Sequence, residues 1–272
     1  MTDIINPVLV LGSLAAAFGV ILAIASKVFF VPTDPKVAQL QNVLPGANCG
    51  ACGYPGCSGL ANALAAGKAP VNSCSIGGQK VADLVADILG ADSADIDKEV
   101  AVVLCQGDCD KAKDKYIYEG IQDCRISDKL SDGQKSCSYG CLGCGTCRDV
   151  CQFDAIDMIN GIAYIDREKC TACRKCVEVC PKHIIEMVPY DNHVAVKCKS
   201  EDPGKVVRGN CEIGCIGCKI CVKNCPEDAF SFENNLAKIN YEKCTNCLVC
   251  VEKCPTKCIN HMVEEESDNI AI

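Results

Sequence analysis

The stretch Cys141-Leu-Gly-Cys-Gly-Thr-Cys-Arg-Asp-Val-Cys151 spaces its four cysteines as C-x2-C-x2-C-x3-C. The same spacing recurs at Cys170–Cys180, and both runs return 74 residues later, at Cys215–Cys225 and Cys244–Cys254. In bacterial ferredoxins this pattern binds [4Fe-4S] clusters, and the fourth cysteine of each run ligates the cluster of the other run. We therefore expect an α+β chain with two tandem two-cluster ferredoxin-like units.

The crossed ligation rule assigns four ligand sets, each with three cysteines from one run and one from its partner run. Three of the runs are followed by Pro, whereas Gln152 follows Cys151, a change that removes no ligand. The four sets are Cys141, Cys144, Cys147 and Cys180; Cys170, Cys173, Cys176 and Cys151; Cys215, Cys218, Cys221 and Cys254; and Cys244, Cys247, Cys250 and Cys225.

A different four-cysteine pattern, C-x2-C-x4-C-x16-C, precedes the repeats at Cys49, Cys52, Cys57 and Cys74. Four thiolates, three of them on a glycine-rich loop, suit either structural zinc or an Fe-S cluster. The neighbouring ferredoxin-like runs favour the Fe-S cluster. The sequence therefore predicts at least five [4Fe-4S] clusters.

Seven further cysteines lie outside these sets. One interpretation joins four of them, Cys105, Cys109, Cys124 and Cys137, in a sixth cluster. The alternative is a pair of buried thiols in each repeat, because the 74-residue offset carries Cys124 and Cys137 onto the second repeat but gives no counterparts for the other two. The remaining cysteines are Cys198 and Cys211, which are those repeated positions, and Cys258, which we expect to be a small apolar residue.

The amino-acid composition of the chain supports metal-binding sites. The chain has 27 cysteines in 272 residues, and their odd number and close spacing fit metal thiolates better than disulfides. Such thiolates indicate a reducing compartment. With no Trp, 7 Tyr and 6 Phe, the chain has little material for a core, so cluster binding is expected to supply folding free energy. The net charge of −8 argues against a nucleic-acid partner.

The N-terminal segment Ile4–Ser26 contains no charged side chain and is long enough to cross a membrane as a helix. A signal peptide would begin with basic residues, which Met1-Thr-Asp lacks. Lys27 and Lys36 follow the segment, so the positive-inside rule predicts a single-pass anchor in the cell (inner) membrane with the Fe-S domains on the cytoplasmic side. The segment also contains small residues at spacings that allow close packing against another membrane helix, although small residues are common in all such helices. These residues are Gly12, Ala15, Ala16 and Gly19.

The expected organisation follows from these patterns. Residues Lys80–Leu89 predict a short amphipathic helix that packs Val81, Leu84, Val85 and Leu89 into a small core. The segments are a transmembrane helix with flanks at 1–31, a linker at 32–45, a four-cysteine Fe-S domain at 46–99, a connecting cysteine-containing segment at 100–136, ferredoxin-like unit 1 at 137–190, a linker at 191–210, ferredoxin-like unit 2 at 211–260 and an acidic tail at 261–272.

No catalytic residue is expected. The sequence has no dinucleotide fingerprint and no Walker A motif, and His183, His193 and His261 form no constellation. A basic stretch between the repeats is suited to docking an acidic electron donor; the alternative is a solvated loop. Its residues are Lys197, Lys199, Lys205 and Arg208.

The order of parts resembles the B-subunit family of Rnf complexes, on the membrane helix, the block Cys49–Cys57 with Cys74, and the ferredoxin runs. The resemblance covers nearly the whole chain. It implies one component of a membrane-bound ferredoxin:NAD⁺ oxidoreductase that pumps Na⁺ or H⁺, a translocase. In that family this component takes electrons from reduced ferredoxin and passes them to the other membrane and redox subunits, which hold the flavins and the NAD site. The second two-cluster unit departs from shorter members of the family.

Two alternatives stay open on the sequence. A membrane-anchored polyferredoxin carrier without coupling to ion transport would have the same motifs, and co-purification with integral membrane partners would separate the two. Corrinoid Fe-S proteins also use a domain like the Cys49 block, but no corrinoid-binding region is evident.

Overall fold

The first helix is an isolated apolar element. The computed structural model describes residues 2–29, 34–93 and 95–262, with the side chains of this helix described from Leu9 onward. Helix α1 spans Thr2–Val28, and its Leu9–Val28 part is long and apolar enough to cross a membrane. Leu22 is 68% exposed, so this apolar surface has no protein cover. The sequence predicts an acidic tail at 261–272, but His261 ends a strand and Met262 is buried; the rest of the tail, from 263 onward, lies outside the described residues.

Three helices build the four-cysteine domain: α2 (Pro35–Val43), α3 (Gly56–Ala65) and α4 (Gly78–Leu89). Helix α2 begins where the Asp34 carboxylate accepts a hydrogen bond from the Lys36 N–H. Its Leu40 is fully buried against Leu60 and Val85 of the other two helices. The described part of the predicted 32–45 linker is therefore the first helix of this domain.

Helix α4 confirms the predicted amphipathic helix with one difference. Val85 is buried in the core as expected, but Leu84 is 40% exposed. The small residues Ala82 and Ala86 complete the buried face instead. The helix ends at Gly90, whose φ of 67° is a left-handed C-cap that glycine adopts without strain.

Truncating Leu40 tests this assignment of α2. We expect Leu40→Ala to destabilise the domain by about 2–5 kcal/mol, because a fully buried leucine leaves a cavity. Amide hydrogen exchange in α3 is the measurement, with the half-exposed Leu84→Ala as the matched control. Equal protection of α3 in the two variants would show that α2 is only a linker.

The rest of the chain is two small sheet-and-helix units. In the part that the structure describes, the strands pair antiparallel as β1 (Glu99–Val103) with β4 (Ile185–Pro189), β2 (Ile156–Ile159) with β3 (Ile162–Ile165), β5 (Val194–Val196) with β8 (Ile259–His261), and β6 (Phe230–Glu233) with β7 (Leu236–Ile239). Short helices accompany them: α5 (Cys124–Lys129), α6 (Thr146–Asp149), α7 (Lys175–Val179), α8 (Gly204–Asn210), α9 (Ile220–Asn224) and α10 (Val249–Lys253). Unit 1 contains β1–β4, and unit 2 contains β5–β8.

The 74-residue repeat of the sequence is also a repeat of the backbone. The hairpin β2–β3 returns as β6–β7 at that offset. The turn preceding each hairpin has a left-handed residue, Asp154 at φ 48° and Asp228 at φ 46°. The predicted pair of ferredoxin-like units is therefore confirmed in an α+β chain.

Strands β1 and β5 come from segments that the sequence predicts only as connections. Strand β1 lies at the start of the 100–136 segment, and β5 lies in the 191–210 linker. In the ladders, Val103 lies opposite Ile185 and Val196 lies opposite Ile259. Because Ile185 and Ile259 are related by the 74-residue repeat, Val103 and Val196 occupy equivalent positions that are 93 residues apart.

This register changes one pairing inferred from the sequence. Two residues after Val103 comes Cys105, and two residues after Val196 comes Cys198. The structural counterpart of Cys198 is thus Cys105 and not Cys124. A 19-residue longer connection before Cys137 in unit 1 produces the difference in offset.

Strand β1 belongs to two cores, because successive side chains of a strand face opposite sides. Ala101 and Val103 pack into the core of unit 1. Val100 and Val102 face the other way and pack against Ala195 of unit 2. The two units therefore share a hydrophobic layer.

Candidate metal centres

The four C-x2-C-x2-C runs adopt one loop conformation. In each run the residues two and four positions after the first cysteine have left-handed backbone angles, which turn the chain twice around one point. Non-glycine residues rarely adopt such angles unless the surroundings impose them, and they concentrate at functional sites. The angles are φ 77° and 83° at Gly143 and Gly145, 56° and 63° at Ala172 and Arg174, 66° and 61° at Gly217 and Lys219, and 56° and 61° at Asn246 and Leu248.

The first set of unit 1 is brought together around one pocket, lined by Cys141, Cys147 and Cys180. Burial raises the pKa of Cys147 to about 12, and the neighbouring charges of Cys141, Cys124 and Cys180 raise it further. Cys144 is buried on the same loop. Cys124 also lines this pocket, a neighbour that the spacing of the runs did not indicate.

The second set of unit 1 is equally compact. Burial raises the pKa of Cys176 to about 12, followed by the charges of Cys170, Cys173 and Cys151, which are the other three members. The Ala101 N–H of β1 donates to the Cys170 Sγ at 3.5 Å. The outer strand therefore helps to position this set.

The first set of unit 2, which begins at Cys215, resembles the first set of unit 1. Burial raises the pKa of Cys221 to about 11, and Cys215, Cys218 and Cys254 are the thiols that contribute by charge. The Cys258 N–H donates to the Cys254 Sγ at 3.3 Å. One thiol near Cys221 therefore comes from the partner run.

The second set of unit 2 combines the run that begins at Cys244 with Cys225 of the other run. The Ala229 N–H donates to the Cys225 Sγ at 3.4 Å. Burial and then the charges of its two neighbours in the run raise the pKa of Cys250 to about 12. One pocket is lined by Cys225, Cys244, Cys247 and Cys250.

The glycine-rich block of the N-terminal domain is held by Asn48. Its side-chain oxygen accepts a hydrogen bond from the Cys57 N–H at 2.8 Å. Gly56 has φ 77°, and a Cβ there would lie 2.7 Å from the same oxygen, so only glycine fits. The loop closes one pocket lined by Cys49, Cys52, Cys57 and Cys74.

This N-terminal set lies beside unit 1. The pKa of Cys173 is raised by burial, and among the thiols that raise it further are Cys151, Cys170 and Cys49. Cys49 is therefore within electrostatic reach of the second set of unit 1. Cys49 and Cys173 thus lie near each other although they are 124 residues apart in sequence.

The predicted grouping of Cys105, Cys109, Cys124 and Cys137 is corrected by the structure. Cys124 lies against Cys144, whose pKa is raised to about 11 by burial and then by Cys124. Cys109 is exposed, and a Cβ placed on Gly161 would collide with its Sγ. These four thiols therefore do not form one site.

A different quartet does come together. Burial raises the pKa of Cys137 to about 11, and the charges of Cys198, Cys105 and Cys211 raise it further. All four cysteines line one pocket between unit 1 and unit 2. The repetition of Cys137 as Cys211 was the only sequence signal for this site, since the match of Cys105 with Cys198 needs the strand register.

Cys258 is buried, as expected of a small apolar residue, with 1% of its surface exposed. Its thiol is the neighbour that most lowers the pKa of Cys215, to about 6, and that of Cys198, to about 7. Cys258 thus links the inter-unit quartet to the first set of unit 2.

The basic stretch between the repeats is divided by the fold. Lys197 and Lys199 line the inter-unit pocket, and Lys199 forms an ion pair with Glu186. Only Lys205 and Arg208, on α8, are exposed. The solvent-facing charge of this stretch is therefore half of what the sequence indicates.

Comparison with known families places matches on all three predicted iron-sulfur regions. Residues 44–76 match the family "Putative Fe-S cluster". Residues 140–184 and residues 209–255 each match a family described as a 4Fe-4S dicluster domain. The first match covers the Cys49 set, and the others cover the runs of units 1 and 2.

Full-length relatives extend the similarity to nearly the whole chain. A protein of Acetobacterium woodii, named as the B subunit of a Na(+)-translocating ferredoxin:NAD(+) oxidoreductase complex, is 49% identical over 97% of this chain and 80% of its own length. The B subunit of an ion-translocating oxidoreductase complex of Methanosarcina acetivorans is 43% identical over 89% of this chain and 92% of its own. The B subunit of a proton-translocating ferredoxin:NAD(+) oxidoreductase complex of Clostridium ljungdahlii is 41% identical over 90% and 87%.

Proposed function

Because the chain belongs to the B-subunit family of ion-translocating oxidoreductase complexes, we propose that it carries electrons from reduced ferredoxin to the membrane partners of a Na⁺- or H⁺-pumping ferredoxin:NAD⁺ oxidoreductase. The observation that carries the proposal is the row of neighbouring four-thiol sites, from unit 2 through unit 1 to the Cys49 set. A row of this kind suits conduction. The described residues offer no nucleotide motif, so NAD is reduced elsewhere in the complex.

The donor sets fit the group that this function needs. A [4Fe-4S] cluster bound by four thiolates would supply one-electron transfer. Each set brings cysteines of its own loop near one another, and backbone N–H groups donate to the Cys170, Cys225 and Cys254 sulfurs. Hydrogen bonds to the sulfurs and burial are the means by which a protein sets such potentials.

The direction of flow follows from the position of the Cys49 set. Cys49 lies 22 residues after Lys27, and an extended chain reaches at most about 3.3–3.6 Å per residue. The N-terminal domain is thereby kept close to the bilayer that α1 enters, on the cytoplasmic side by the positive-inside rule. Its set therefore serves as the outlet, and the ferredoxin units serve as the inlet.

Within the ferredoxin units, unit 2 is the more accessible. Cys218 and Cys247 of unit 2 are exposed, whereas their counterparts in unit 1, Cys144 and Cys173, are buried and half-buried. Exposed Lys219 and Lys223 border the Cys218 loop. A basic rim around an accessible site suits the docking of an acidic ferredoxin.

Charge reversal at this rim tests both donor and docking site. We expect Lys219→Glu with Lys223→Glu to slow reduction by reduced ferredoxin about tenfold at low salt, because opposite charges accelerate encounter. Stopped-flow absorbance of the purified complex is the measurement. Reduction by dithionite should not change, and Lys68→Glu, an exposed site on the N-terminal domain, is the matched control.

Three outcomes would contradict the proposal. Ferredoxin that cannot reduce the unmodified chain would exclude it as the donor. A chain that purifies without any integral membrane partner would be the free polyferredoxin carrier instead. If Lys68→Glu slowed reduction equally, the docking site would not be on unit 2.

A further inference from the structure

The pocket between the two units is lined by four cysteines that no cluster-binding run contains: Cys105, Cys137, Cys198 and Cys211. Gly107 lies at its wall. A Cβ on Gly107 would be 3.2 Å from the Cys211 Sγ and 3.9 Å from the Cys105 Sγ. Thiols from different units therefore face the same point.

The quartet uses the same two positions of each unit. Cys105 and Cys198 follow the outer strands at equivalent places in the ladders. Cys137 and Cys211 each lie four residues before the first run of their unit. Both pairs thus meet across the interface in a quasi-symmetric arrangement that neither unit could form alone.

A short extended segment holds the two halves together. Ala112 forms an antiparallel bridge with Cys211, supported by N–H to carbonyl hydrogen bonds of 2.9 Å on both sides. Two residues later, Asp114 bridges in the same way to Lys135, close to Cys137. The backbone next to one cysteine of each unit is therefore fixed by a single segment.

A buried cation lies beside the pocket. Lys135 is 3% exposed, and its Nζ donates to the Gly107 carbonyl at 2.6 Å. Among the described residues no carboxylate forms an ion pair with it. Buried lysines are rare without a charged partner. Lys135 lines the pocket, and its charge also acts to lower the pKa of Cys141, which burial raises, so anionic centres at the quartet and at the Cys141 set would both face this charge.

We propose that Cys105, Cys137, Cys198 and Cys211 bind a sixth [4Fe-4S] cluster between the units. Two of these sulfurs already accept backbone hydrogen bonds, from the Cys141 N–H at 3.4 Å and the Ser200 N–H at 3.4 Å. Zinc also accepts four thiolates. We favour the cluster because the quartet lies next to the first set of each unit. The Cys141 N–H of unit 1 donates to Cys105, and the Cys258 thiol neighbours both Cys198 and Cys215 of unit 2.

This position gives the site a role that rests on the proposed function. It joins the Cys215 set of unit 2 to the Cys141 set of unit 1. A cluster held by these four cysteines would supply one-electron transfer between unit 2, which would be oxidised, and unit 1, which would be reduced, with no proton or further reactant required. The site would make the two ferredoxin units one continuous conductor.

Native mass spectrometry of the full chain, purified anaerobically, tests the site by composition. Six clusters give about 24 Fe and 24 sulfides per chain by the four-iron stoichiometry. Cys137→Ala and Cys211→Ala should each remove four of each, whereas Cys109→Ala, which changes an exposed cysteine outside the pocket, should remove none. An unmodified chain with about 20 Fe, or with one zinc, overturns the proposal even if the variants fail to fold.

A kinetic arm separates the site from its role. In the Cys211→Ala complex, reduced ferredoxin should still reduce unit 2, while reduction of unit 1 slows by a large factor. If the sixth cluster is present in the unmodified chain but its loss leaves the reduction rate of unit 1 unchanged, the relay role is overturned. Failure of ferredoxin to reduce even unit 2 of the unmodified complex would overturn the proposed function and would leave the composition result standing.

Discussion

Replacement of Cys57 by Ala is expected to reduce NADH formation from reduced ferredoxin to the background rate in the assembled complex. Cys57 is one of the four thiols of the N-terminal set, and its N–H is fixed by Asn48. On the proposed route, that set is the last candidate site before the membrane partners. Its loss should therefore interrupt the row at its outlet.

The measurement has two readouts. NADH is followed by its absorbance, and reduction of the ferredoxin units is followed by electron paramagnetic resonance of the frozen complex. The units should become reduced normally, because electrons enter before the interruption. Leu84→Ala, at a half-exposed position of the same domain, serves as the control. NADH formation that continues while the Cys49 cluster is verifiably absent would remove that site from the relay.

Removal of iron is expected to abolish the cooperative folding of residues 95–262. The cores of both units contain the cysteines themselves, among them Cys141, Cys176 and Cys221. Burial raises the pKa of each, so that without metal these positions hold neutral thiols around pockets with little aromatic material to fill them. Metal binding must then supply a large part of the folding free energy.

Circular dichroism during thermal unfolding, before and after chelation under reducing conditions, measures this effect. The native transition should be lost in the chelated protein and return on reconstitution with iron and sulfide. The helices α2–α4 offer an internal comparison, because Leu40, Leu60 and Leu64 form a conventional apolar core. A cooperative transition that survives in units 1 and 2 would show that their protein cores suffice.

Most of the site architecture could be predicted from the sequence because it is local. Each C-x2-C-x2-C run fixes three thiols on one loop, and the repeat indicates which partner run supplies the fourth. The same is true of the block Cys49–Cys57. The family followed from these local patterns in their order along the chain.

The parts that were missed depend on contacts between distant residues. Strand β1 has only five residues, and its pairing with β4 joins Val103 to Ile185. Its valine-rich apolar run is typical of a buried strand, but the run does not indicate which strand it pairs with. The quartet around Cys105 depends on that pairing and on the bridge from Ala112 to Cys211, so the cysteines nearest in sequence are not the ones that the fold brings together.

The shared strand β1 has a consequence for how electron flow can be controlled. Tunnelling rates fall steeply with the distance between centres, so a hinge between two redox modules can act as a gate. Here Val100 and Val102 lock unit 1 to unit 2 through a common apolar layer, which holds that distance constant. The N-terminal domain packs around a separate core. Any gating motion within this chain is therefore expected at the junction between Cys49 and Cys173, on the membrane side of the conductor.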